Sequence, residues 1–418
     1  FTYFLGFFFR ENAAGGGEAD FVTHTWPLIN SFKKDFFYTI DNYGSFNEAS
    51  YPLSHIINAY LNPFSNEVIN FQFSVTLISF FVFIIFAFTI KKIFQKVSYI
   101  DIFLTSSIIL ILPFFRTSAF WGLTENFGWL FLISSLYFFI KIRNDIDKNL
   151  DIEHNKNIIF FCLLSSCGIY CRQTLIFLPI SYLLFLLVSN ADKKIFIKSI
   201  ILYSIFSIPG FLLILKWGAL YDVSNNSSYT TGYFSYENIL KNVPIITSLF
   251  SFYFIPILFI EILSEGYKKV YQKYFKFFII FLIFYLLLLQ INLLGYLGEY
   301  DLSGGIIIKI NYLIYENNFY LLLIFSSLGL SILLRLFKEN SKNNLIMLLP
   351  LLIIYCFPRL LYQEYIEPLF LIIFFLCLKT DLHQIYFRKV YLSNIVMLIY
   401  FSIYLSGAVY IRHFSSIY

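Results

Sequence analysis

Glu18 and Asp20, one residue apart and directly behind Gly15-Gly16-Gly17, are the side chains of this chain best placed to move a proton. A carboxylate in a polar loop can serve as general base toward a hydroxyl, and partial burial that raises its pKa improves it for that task. Geometry decides which of the two would act. The glycines allow a sharp turn or a close backbone approach, and His24 follows four residues after Asp20. Three arginines offer the complementary chemistry: Arg116, Arg172 and Arg359. A guanidinium pairs bidentately with phosphate or carboxylate, although each arginine also fits a plainer role, snorkelling from a helix end. Arg172 lies in Tyr170-Cys171-Arg172-Gln173-Thr174 and splits one apolar stretch into two. Arg359 opens a short segment with Gln363, Glu364 and Glu367, the last inside what should be the next apolar span. An ionisable residue at that depth is a functional candidate. Glu125, nine residues beyond Arg116, reads as its neutralising partner across a turn, and Asp222, Glu299 and Asp301 complete the set.

The elements that must position these groups are apolar. Of 418 residues, 59% are hydrophobic and 13% charged, and the mean hydropathy is +0.72. A soluble domain carries about 25% charge, so the composition excludes one and implies a polytopic membrane protein. The net charge of +5 reflects where lysines sit and is no nucleic-acid signal. All five cysteines fall in or beside apolar runs, where a thiol behaves as a small hydrophobe, and no ligand set points to a metal. The first residue is Phe1, and the run Phe1–Phe9 is half the length of a span, as expected of a chain clipped at its N-terminus.

Apolar stretches lie near 71–90, 99–115, 119–142, 157–171, 173–189, 195–216, 239–262, 276–296, 318–337, 344–357, 365–378 and 390–411. With the first run they predict an all-α bundle of about thirteen spans in a single domain, 1–418. Lys and Arg collect in alternate loops: Lys91, Lys92 and Lys96; Lys141, Arg143, Lys148 and Lys156; Lys193 and Lys194; Lys268, Lys269 and Lys273; Arg335, Lys338 and Lys342; Lys379, Arg388 and Lys389. Such loops face the cytoplasm. The long loops at 10–70, 217–238 and 297–317 then lie outside, together with the acidic pair and the three arginines. Loop 10–70 holds two amphipathic stretches. Leu28, Ile29, Phe32 and Phe36 share one face of Pro27–Tyr38, and Leu53, Ile56, Ile57 and Tyr60 share one of Tyr51–Leu61. Both are expected to lie in the membrane interface, apolar side down, as a lid over the bundle. Asn225 and Asn226 each begin an Asn-x-Ser triplet, which supports an exposed loop.

An acidic motif in the first outer loop, interfacial helices and many spans together resemble the GT-C integral-membrane glycosyltransferases. Within that group Cys171-Arg172-Gln173-Thr174 looks like the Arg-Gln-Thr segment of the dolichyl-phosphate-glucose α-1,2-glucosyltransferases. Glu18-Ala19-Asp20 with His24 is similar to their acidic first-loop motif, and Glu364, Tyr365 and Pro368 match part of a late segment. The family's Trp-Asp-Pro-Lys segment is absent, with Tyr51-Pro52 the nearest substitute, and the late segment lacks its internal Arg. The resemblance implies inverting transfer of a sugar from a polyprenyl- or dolichyl-phosphate donor to a lipid-linked oligosaccharide or glycan. It implies Asp20 as base with Glu18 as alternate, Arg172, Arg116 and Arg359 on the phosphate, and Gln173, Glu364 and His24 in the substrate site. The phosphate is a good leaving group, so no general acid is required, in contrast to the paired carboxylates of glycosidases; no cofactor is expected, and a divalent metal requirement is left open. A bacterial inner membrane fits the compact loops, with the endoplasmic reticulum as the other setting. Two further classes compete: an O-antigen polymerase or ligase, and a lipid-linked sugar transporter or flippase, which should show paired halves.

Overall fold

The computed structural model describes residues 2–14, 16–46, 48, 50–147, 154–189, 191–218, 236–290, 294, 305–315, 318–358 and 361–414. Every element among them is helical. The chain divides into two compact units, 1–228 with 401–418, and 229–400.

In the first unit, α1 (Thr2–Phe8) is followed by α2 (Gly17–Asp20), a π-helical turn (Phe21–Thr25), α3 (Trp26–Lys34), α4 (Phe36–Asp41) and α5 (Leu53–Tyr60). Then come α6 (Val68–Ile93), α7 (Tyr99–Ser107), α8 (Pro113–Trp121), α9 (Glu125–Asp147), α10 (His154–Cys171), α11 (Phe177–Val188) and α12 (Lys193–Trp217). The packed centre is α6, α9 and α10, with α12 beside α10. The second unit holds α13 (Tyr236–Glu265), α14 (Tyr267–Gln290), α15 (Ile306–Tyr315), α16 (Tyr320–Glu339), α17 (Ser341–Cys356), α18 (Leu369–Leu376), α19 (Asp381–Arg388) and the first part of α20 (Val390–Phe414). Here α16 packs against both α13 and α14. Gly329 of α16 lies against the Thr247 carbonyl of α13, leaving no room for a Cβ, and Thr247 and Ser326 hydroxyls share a hydrogen bond of 2.7 Å beside it. Small residues thus let these two helices approach closely, as in membrane bundles.

Among the described residues six helices are long and apolar enough to cross a membrane: α6, α12, α13, α14, α16 and α20. A seventh is reached if the pair Tyr99–Ile111 and Pro113–Trp121, bent by 72°, forms one span. These helices are compatible with an integral membrane protein; they do not confirm the thirteen spans expected from hydropathy. Proline breaks one run at Leu112-Pro113, Arg172 breaks another, and the run at 365–378 becomes the eight-residue α18, whose residues are all buried in protein. Apolarity alone does not separate a buried core helix from a span.

Loop 10–70 is helical where amphipathicity predicts it, with one break and one inversion. Asp35 ends α3 and caps α4 by accepting from the Tyr38 amide at 2.9 Å, so Phe36 leaves the face of Leu28, Ile29 and Phe32. Those three are fully buried in protein, with α3 packed on α5, not laid in an interface. On α5 the buried residues are Ser54, His55, Asn58 and Ala59, while Leu53, Ile56 and Ile57 are partly exposed and Tyr60 is exposed. Its polar face points inward.

Candidate functional site

Of the two carboxylates, only Asp20 is enclosed. Glu18 is exposed, whereas Asp20 is half-buried at the end of α2, its amide bonded to the Gly16 carbonyl at 2.8 Å. Gly17 sets this turn against α8: a Cβ there would fall 2.5 Å from Thr117 Cγ2. Among the described residues no hydrogen bond to the Asp20 carboxylate contributes to its state, which burial and neighbouring charges set. Burial pushes its carboxyl above the ordinary carboxylate range, the Glu125 charge pushes further, His24 opposes and Glu48 adds to the rise. Desolvation and like charge are the two influences that keep a carboxyl protonated at higher pH.

The π-helical turn carries the chain from Asp20 to His24, whose Nδ1 lies 2.7 Å from the Phe46 carbonyl. Such turns occur often at functional sites. That bond holds Phe46 against the turn that follows Asp20, and the Glu48 charge reaches the Asp20 carboxyl. There Glu48 accepts from the Ser50 amide at 3.0 Å and the Ser50 hydroxyl at 2.8 Å, both on Oε1. Its Oε2 faces His55 Nε2 across 3.8 Å, too far for a hydrogen bond. His55 is buried, its Nδ1 is 3.3 Å from the Tyr43 hydroxyl and its Nε2 has no hydrogen-bond partner. Burial holds its pKa below the usual histidine value, with Glu48 opposing.

Arg172 closes the other side. Helix α10 stops at Cys171, Arg172 takes an extended conformation, and a 3₁₀ turn (Gln173–Ile176) leads into α11. The guanidinium meets Glu125 Oε1 at 2.9 Å and stands 5.8 Å from the Trp129 ring centre. Gly128 makes way for its stem, since a Cβ would sit 3.2 Å from Arg172 Cγ. Glu125 thus partners Arg172, not Arg116. Gln173 is partly exposed beside it. Helix α5 packs on α10, so the Tyr43–His55 pair and Arg172 flank one region.

Arg116 is bound elsewhere. Its Nε and Nη2 donate to Glu11 at 2.7 and 2.5 Å, Nη2 also to the Thr2 carbonyl at 3.0 Å, and Nη1 to the Leu110 carbonyl at 3.1 Å. Gly6 leaves the space this pair occupies. These four bonds engage both edges of the guanidinium and tie α1 to α8.

In the second unit, Glu364 is partly buried in a 3₁₀ turn (Gln363–Tyr365). Its neighbours are tied into the core: Gln363 donates to the Tyr253 hydroxyl at 2.7 Å and accepts from the Ile306 amide at 2.8 Å, and that hydroxyl donates to buried Glu367. Arg359, Asp222, Asn225, Asn226, Glu299 and Asp301 lie outside the described residues. Buried Glu261 accepts from Arg335 at 2.6 Å, Lys273 at 2.7 Å and Tyr274 at 2.9 Å, so two of the cations used to assign sidedness are also packing partners.

Glu11, Glu48, Tyr43 and His55 escaped sequence reasoning. For His55 a signal existed: with Ser54 and Asn58 it makes a polar stripe on an otherwise apolar helix. Among the described residues no three His, Cys, Asp or Glu side chains are grouped to hold a metal ion. No family model, curated protein or solved structure matches the chain.

Proposed function

We propose that the protein is a membrane glycosyltransferase that moves a sugar from a polyprenyl-phosphate-linked donor to a hydroxyl of a glycan or lipid-linked acceptor on the extracytoplasmic side. The observation that supports this is the state of Asp20: half-buried, raised in pKa, without a hydrogen-bond partner for its carboxylate among the described residues, and close enough to Glu125 and Glu48 to feel their charge. A carboxylate held so is suited to receive a proton. In the reaction, the acceptor oxygen forms its bond to the anomeric carbon as the bond from that carbon to the phosphate oxygen breaks. The phosphate leaves with the electron pair and the hydroxyl proton passes to Asp20, so the anomeric configuration inverts. Arg172 is the arginine of the described site that stands beside these acids, and rotation away from Glu125 would let it meet the departing phosphate charge. Arg116, saturated by Glu11, holds the scaffold in this reading. Transfer from radiolabelled polyprenyl-phosphate sugars, measured with the protein in lipid nanodiscs, tests the proposal. Asp20→Asn is expected to lose about 10²- to 10⁴-fold in kcat, the range for removing a general base. Transfer at the wild-type rate in that variant would remove the assignment.

A further inference from the structure

Glu48 is a carboxylate with one oxygen fixed and the other uncommitted. Both Ser50 bonds fall on Oε1, and among the described residues the remaining oxygen has only the 3.8 Å approach of His55. A carboxylate held by one edge and 16% exposed presents its other edge as an acceptor with little freedom to lose on binding. Behind it stands a fully buried imidazole whose Nε2 has no partner and whose Nδ1 is beside the Tyr43 hydroxyl. The segment is anchored toward Asp20 through the Phe46–His24 bond.

We infer that Glu48 is the sugar-gripping carboxylate of this site, accepting hydrogen bonds from adjacent hydroxyls of an uncharged sugar ring, with His55 as the positioning residue behind it. The inference rests on the glycosyltransfer reading, to which it adds a substrate class. A sugar hydroxyl donates well to a carboxylate, and hydrogen bonds to charged groups are stronger than neutral ones. Charge balance selects the class. Among the described residues around Asp20, three carboxylates (Asp20, Glu48 and Glu125) stand against the Arg172 guanidinium and the His24 imidazole, which leaves the acids in excess. Unpaired negative charge repels a ring that bears its own carboxylate, so a neutral hexose is accepted and a uronic acid refused.

The test uses the full chain in nanodiscs, with methyl glucoside and methyl glucuronide as probes and calorimetric binding as readout, alongside the transfer assay. Wild type and Asp20→Asn are expected to bind the glucoside saturably and the glucuronide roughly tenfold or more weakly. Glu48→Gln should weaken the glucoside roughly 10- to 100-fold, the weight of a hydrogen bond to a charged group, and should narrow the preference over the glucuronide. His55→Gln should lower glucoside affinity less and keep the preference, because the Glu48 charge remains. A general loss of fold would weaken both probes alike, and melting curves of each variant identify it; Ser50→Ala, which frees Glu48 without touching its charge, then serves as second variant and should lose part of the affinity. Displacement of the glucoside by a short-chain polyprenyl-phosphate sugar assigns the grip to the donor ring, displacement by free glycan to the acceptor ring. Absence of glucoside binding in wild type, displacement by neither substrate, or an unchanged preference in Glu48→Gln overturns the inference. Asp20→Asn that still transfers sugar strikes the reading beneath it instead, and the binding arms do not depend on that result.

Discussion

Two arginines of the first unit each meet a glutamate, and the two pairs are built differently. Arg116 spends its donors on both oxygens of Glu11 and on two backbone carbonyls, with aromatic rings of Tyr3 and Phe120 at 5.9 and 5.2 Å from its centre. Arg172 meets Glu125 at 2.9 Å, and among the described residues the second oxygen of Glu125 is buried without a hydrogen bond. A saturated pair is a clamp, because every change of partner costs several bonds at once. A glutamate with one oxygen unsatisfied beside a raised carboxyl holds its arginine by fewer bonds, which suits a pair that must respond to a charge appearing during a reaction. Sequence offered both arginines for the same task; satisfaction of their hydrogen bonds separates them.

The sharpest way to break this comparison is to remove each centre in turn. Asp20→Asn should cost transfer the factor given above while leaving the fold intact. Arg116→Ala should do the reverse. It strands Glu11 in a largely buried position, a loss of about 3–5 kcal/mol for a buried pair deprived of one partner, visible as a large drop in melting temperature. If Arg116→Ala folds normally and instead loses donor affinity, the clamp and the site have been assigned to the wrong arginines.

That separation also marks what could be read in advance. Helicity and the apolar class follow from composition and period, which are local properties. So does the break at Arg172, a charge interrupting an apolar run. The pairing of Arg116 with Glu11 joins residues 105 apart, and no local pattern encodes it; proximity in sequence suggested Glu125 instead. The choice between Glu18 and Asp20 was equally hidden, since residues two apart on a helical turn face different ways and only packing against α8 decides which is enclosed. Span counting failed at α18 for the same reason: an apolar octet carries no mark of whether lipid or protein surrounds it.

A smaller and more specific effect concerns pH. The Asp20 carboxyl is raised first by burial and then by Glu125, with Glu48 adding and His24 opposing. A general base works when deprotonated, so kcat/KM falls as pH drops through that raised value. Glu125→Gln removes a negative neighbour and should move this acid limb to lower pH. Arg172→Gln removes the cation that offsets Glu125 and should move it to higher pH. Displacements of opposite sign in pH–rate profiles would tie the pair to Asp20; two unmoved limbs would detach it.

The smallest expected effect is on stability and has a definite sign. Because the folded protein raises the Asp20 pKa above the ordinary carboxylate value of 3.8, folding favours the protonated form. The favourable contribution is complete below the unfolded value and is lost as pH rises through the folded one. At neutral pH the ionised side chain therefore burdens the fold. Asn, of similar shape and without charge, should relieve that burden: Asp20→Asn is expected to melt higher than wild type near neutral pH, with the gain shrinking as pH falls toward 3.8. Glu18→Gln, at an exposed position two residues away, should show no such pH-dependent gain. Melting curves of the three proteins across that range compare the two carboxylates without any substrate. Equal behaviour of the two variants would mean that Asp20 is solvated like its neighbour and has no special claim on the proton.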